Sequence, residues 1–65
     1  MNWDQLQGKW KQMQGEAKKH WAKLTDDDMK EVEGNRDKLE GKIQERYGYT
    51  KEEAQREVDK WASDR

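Results

Sequence analysis

Residues 21–29 read Trp21-Ala22-Lys23-Leu24-Thr25-Asp26-Asp27-Asp28-Met29, and this stretch decides how the chain divides into helices. Thr25 followed by Asp28 three residues on is a capping box. Its hydroxyl can accept from the Asp28 N–H while the Asp28 carboxylate accepts from the Thr25 N–H. Leu24 and Met29 occupy the two positions of a hydrophobic staple across the same boundary. Three successive aspartates at a helix N-terminus lie where the helix dipole favours negative charge. A helix therefore starts just after Thr25, and whatever precedes it ends by Leu24.

Upstream, Trp3, Leu6, Trp10, Met13, Ala17, Trp21 and Leu24 recur at spacings of three and four, the stripe of an amphipathic helix. Downstream the stripe resumes as Met29, Val32, Leu39, Ile43 and Tyr47, and Gly48 is a helix stop. Thr50 and Glu53 form a second capping box, with Tyr49 and Ala54 at its staple positions. A last helix presents Ala54, Val58, Trp61 and Ala62, and no proline interrupts any of these segments. Caps, staples, stop and periodicity agree with one another, which is evidence for a defined fold. The expected architecture is all-α: a small helical bundle of three to five helices, with residues 1–65 as one domain.

An internal repeat is present at an offset of 26 residues: Leu6, Gly8, Met13, Gly15, Ala17 and Trp21 align with Val32, Gly34, Leu39, Gly41, Ile43 and Tyr47. Trp3 aligns with Met29, whereas Trp10 aligns with Arg36 and leaves a gap in the second stripe. Gly8, Gly15, Gly34 and Gly41 fall nearly opposite the apolar stripes. Each disfavours a helix interior by about 1 kcal/mol relative to Ala. Either the helices break or bend at these glycines, or the glycines form a small-residue face that another helix approaches. Gly34, beside Asn35 and the stripe gap, is a candidate for a left-handed residue at a break.

Leu, Ile, Val and Phe make up only 6 of 65 residues, a poverty associated with unfolded chains. Near-neutral net charge argues the other way, as do four Trp, three Met and two Tyr, since each large aromatic buries much area. The 14 basic and 15 acidic residues are unevenly spread. Residues 1–24 carry five lysines against two acids, and residues 25–34 carry five acids against Lys30. A net charge of −1 lacks the basic surplus that drives nucleic-acid binding. There is no cysteine, no apolar run near the ~20 residues of a membrane span, and no signal-peptide pattern at Met1-Asn2-Trp3-Asp4. Cytoplasmic location and a monomeric state are expected.

No catalytic, cofactor-binding or metal-binding residues emerge. Glu16 and His20 lie one helical turn apart, but two ligands do not make a structural zinc site, which takes four. Without a second His or any Cys, the usual nucleophile–base pairs are missing. The aspartate run lacks the alternating ligands, glycine and distal Glu of a calcium loop. Trp3, Trp10 and Trp21, with Lys9, Lys11, Lys18, Lys19 and Lys23 among them, suggest a surface for single-stranded nucleic acid or anionic membrane. Their shared stripe assigns them to the core instead.

The chain resembles the CsbD-like family of small bacterial proteins over nearly its whole length. The likeness rests on Gly8-Lys9-Trp10-Lys11-Gln12-Met13-Gln14-Gly15, on residues 21–28, and on Gly34 and Leu39. It continues through Gly41-Lys42-Ile43-Gln44-Glu45-Arg46-Tyr47-Gly48-Tyr49 and closes with Val58 and Trp61. The resemblance implies an orthogonally packed set of about four helices and induction under general stress, with no established molecular activity and no cofactor. The expected function is that of a non-enzymatic stress-response protein, a hydrophilic stabiliser. The alternative is a helical module docking on a protein partner, ahead of a nucleic-acid or membrane binder.

Overall fold

A computed structural model describes residues 2–64 and places five helices along them: α1 Trp3–Gly8, α2 Trp10–His20, α3 Asp26–Val32, α4 Arg36–Tyr47 and α5 Lys51–Ser63. Both capping boxes form as expected. Thr25 Oγ1 accepts from the Asp28 N–H at 3.1 Å and Thr50 Oγ1 accepts from the Glu53 N–H at 3.1 Å, each with its reciprocal bond. Gly48 ends α4 in the left-handed region at φ 70°, its N–H donating to the Gln44 carbonyl. Two caps that the sequence reading did not name, Asn2 and Asn35, accept from the N–H groups of Gln5 and Lys38. Asparagine is as good an N-cap as serine, so these two were readable.

The first stripe does not lie on one helix. A continuous helix through its 22 residues would be about 33 Å long, and the largest dimension of the molecule is 27 Å. The chain breaks at Lys9, beside Gly8, where φ −109° and ψ 22° leave the helical region. It ends α2 at His20, so Trp21 and Leu24 reach the core from the connection beyond the helix. The second break falls at Glu33 and Gly34, both at positive φ, 49° and 81°. Gly15 and Gly41 lie within unbroken helices, so of the two alternatives for the glycines, breakage holds at Gly8 and Gly34 only.

Among the described residues fourteen hydrophobic side chains form the core, none more than 8 % exposed, and both stripes contribute. Trp3, Tyr47 and Tyr49 pack half-buried against it. The 26-residue repeat is visible in three dimensions. Each of the first two units is a short helix and a long one; the long one starts after Lys9 in the first unit and, 26 residues on, after Asn35 in the second. Leu6, Val32 and Val58, spaced by 26, are all fully buried. Trp10 Nε1 donates to the Met29 carbonyl at 3.1 Å, and Arg36 Nη2 donates to the Gln55 carbonyl at 3.4 Å. Donors and acceptors are related by the same offset, so α5 begins a third unit. Arg36 fills the gap in the second stripe with a cation that keeps the hydrogen bond of its Trp counterpart.

Candidate functional site

Two charged clusters hold the second unit, one within it and one between it and α5, and both involve carboxylates that the fold buries. The first joins α3 to α4. Asp28, the closing residue of its capping box, is only 3 % exposed. Arg46 grips it with two hydrogen bonds, 3.0 Å from Nε and 3.1 Å from Nη2, and Lys42 Nζ stands 3.5 Å away. Lys42 also pairs with Glu31, and Glu45 is 3.9 Å from it. The second cluster joins α4 to α5. Arg36 Nε pairs with the buried Glu40 at 2.8 Å, and Nη2 pairs with Asp59. Arg36–Glu40 is an i,i+4 pair legible on a helix. Arg46–Asp28 spans 18 residues and leaves no local signature.

The Arg46 hydrogen bonds lower the Asp28 carboxyl from its ordinary 3.8 to about 2, against the opposing effect of burial. A carboxyl with a lower pKa in the folded than in the unfolded state stabilises the fold fully above its unfolded value. That contribution fades as the pH falls through the folded one. The melting temperature is therefore expected to fall between about pH 4 and pH 2. Asp28→Asn should lower it at pH 7 and flatten the fall, since the substituted side chain has no proton to take up. Equal acid sensitivity in wild type and variant would show that Asp28 does not carry the effect.

Over this cluster lies an open groove of about 570 Å³, lined by Glu31, Glu33, Lys38, Gly41, Lys42 and Glu45. On α2, Lys11, Lys18 and Lys19 are exposed on the side away from buried Trp10, Met13 and Ala17, and Lys18 Nζ pairs with exposed Asp26 at 2.7 Å. His20 is exposed and stands edge-on to the Trp21 ring, centroids 4.7 Å apart. Among the described residues no three His, Cys, Asp or Glu side chains are grouped to hold a metal ion. Trp10 and Trp21 are 5 % and 1 % exposed, so their faces are not offered to bases or lipid, in keeping with the core assignment; Trp3, assigned with them, is only half-buried against that core. No helix of the described residues is long and apolar enough to cross a membrane.

Fold and surface together define a small five-helix protein with an aromatic-rich core and a charged exterior. Residues 4–56 match the family model described as CsbD-like. A UPF0337 protein named YjbJ from Escherichia coli O6:H1 is 61 % identical over 61 residues, covering 94 % of this chain and 88 % of the relative. A UPF0337 protein of Pectobacterium atrosepticum matches at the same identity and coverage. One from Bordetella pertussis is 60 % identical over 58 residues, covering 89 % of this chain and 88 % of the relative. The chain belongs to the CsbD-like family, as its glycine-paired segments and the run from Gly41 to Tyr49 suggested.

Proposed function

We propose that this protein is a non-enzymatic, cytoplasmic accessory of the general stress response, acting as a hydrophilic stabiliser of other proteins. The observation that carries this reading is the partition of its side chains. The core residues are at most 8 % exposed, while 45 % of all residues are charged and the mean hydropathy is −1.75. A chaperone that holds unfolded clients presents a sizeable apolar patch. A folded particle with this charged exterior works differently: it stays soluble at high concentration, occupies the space between clients and keeps their exposed apolar surfaces apart. The same partition weakens the reading as a docking module, because interface cores are built from aromatic and aliphatic anchors, and here those residues face inward.

The test is recovery of several unrelated enzymes after drying or freeze–thaw in the presence of increasing amounts of the protein. Recovery should rise with the protein-to-client ratio for every client, without a complex surviving gel filtration. Recovery no better than with an equal mass of albumin overturns the proposal. So does protection of a single client through a stoichiometric complex, which is what a docking module would give.

A further inference from the structure

Two uncovered helix faces on this molecule carry opposite charge at equivalent positions. On α2, Lys11, Gly15, Lys18 and Lys19 share the face opposite the buried stripe, at about 100° per residue. All four are exposed, Lys18 is paired with Asp26, Glu16 is the one carboxylate of α2, and nothing lies within 4 Å of where a Cβ on Gly15 would stand. The 26-residue repeat places Asp37, Gly41, Gln44 and Glu45 at the same positions on α4, again with nothing within 4 Å of a Gly41 Cβ. The charge is thus reversed one turn before and one turn after the central glycine: Lys11 against Asp37, Lys19 against Glu45. The α4 face opens into the groove whose rim adds Glu31 and Glu33. Lys42 in that groove is already engaged by Asp28 and Glu31 and reaches Glu45 only at 3.9 Å, which leaves Lys38 as the cation that must turn aside to solvent.

Both faces are uncovered in the same molecule, so they meet only between molecules. We propose that a second copy of this chain docks here, the basic face of its α2 seated on the acidic face of α4. The partner is specified by the symmetry of the charges. With lysines at both ends of one face and carboxylates at both ends of the other, opposite charges meet whether the helices run parallel or antiparallel. The two glycines at the centre let the helix axes come close. Each molecule offers one face of each kind, so the contact is heterologous and builds open chains of molecules rather than closing on a dimer. Exposed ion pairs hold it, so it is weak and salt-sensitive. It comes into play as protein concentration rises, and it does not depend on the stabiliser reading.

Sedimentation equilibrium of the intact chain at low ionic strength tests this. The average mass should rise above 7.9 kDa as concentration goes from micromolar to millimolar. It should return to the monomer value near 1 M salt, where charges more than about 3 Å apart are screened. Lys11→Glu with Lys19→Glu should abolish the rise, and so should Asp37→Lys with Glu45→Lys. An equimolar mixture of the two double variants should restore it, because each then meets a complementary face. Lys51→Glu with Lys60→Glu, which alters two exposed residues of α5, should associate like wild type and so exclude an effect of net charge alone. A wild type monomeric throughout overturns the proposal. So does a double variant on either face that associates unchanged, or a mixture that behaves as the sum of its parts.

Discussion

Trp10→Ala is expected to leave the chain largely unfolded at 25 °C. The Trp10 ring is 5 % exposed and lies against Trp3 with centroids 6.3 Å apart. Its Nε1 supplies the Met29 carbonyl, on the helix that starts at the capping box, with a hydrogen bond from 19 residues away. Truncating a buried Trp to Ala costs about 3–5 kcal/mol through lost burial and the cavity left behind. A single core of this size stabilises a domain by roughly the same amount. The measurement is thermal and urea unfolding followed by helical circular dichroism, where the variant should show weak helicity and no cooperative transition. Trp10→Phe separates the two contributions: it keeps most of the ring but removes the indole donor, leaving the Met29 carbonyl with the Glu33 N–H alone, and should cost about 0.5–1.5 kcal/mol for the lost hydrogen bond. An unchanged melting curve for Trp10→Ala would mean that the stripe is not the core.

Alanine substitution at the glycines should split by sign. At Gly34, φ is +81°, where a Cβ is strained by about 1–2 kcal/mol. The added carbon would also stand 2.9 Å from Gln7 Cγ and 3.3 Å from both Gln7 Cα and the Gln7 carbonyl oxygen. The Gln7 side chain can swing away, but its backbone belongs to α1. That helix is fixed over the turn by Trp3 Nε1, which donates to the Gly34 carbonyl at 2.8 Å. Strain and overpacking together should destabilise Gly34→Ala by about 2–4 kcal/mol. At Gly15 and Gly41, exposed and with open space around the position of a Cβ, Ala should stabilise by up to about 1 kcal/mol each. For a domain this small that is a rise of roughly 4–8 °C in melting temperature per kcal/mol. Loss at all three positions would mean that Gly15 and Gly41 are packed within the monomer, against the geometry described.

The parts of this protein that its sequence determines by itself are those set by neighbours within one helical turn. Thr25 with Asp28, Thr50 with Glu53, and Gly48 after Tyr47 fix three helix ends, because cap and staple geometry involves only residues i to i+5. The three- and four-residue spacing of Trp10, Met13 and Ala17, and of Leu39, Ile43 and Tyr47, fixes which helix faces turn inward. The charge reversal between Lys11 and Asp37 and between Lys19 and Glu45 is also written in the repeat. Whether those faces stay uncovered is not, since that depends on what packs beside them. Tertiary structure decided between the two readings of Gly8 that the sequence left open, since the chain leaves the helical region beside it at Lys9. It decided that Gly34 breaks its helix under Gln7 while Gly41, its neighbour in the same unit, does not break α4. It also decided that Asp28 meets Arg46 and that Arg36 reaches Asp59. These two pairs lie 18 and 23 residues apart in the chain, and Gly34 and Gln7 lie 27 apart. No propensity or spacing rule reaches across a turn of unspecified geometry, and such contacts exist only once the helices have folded back and the buried charges and carbonyls have to find partners.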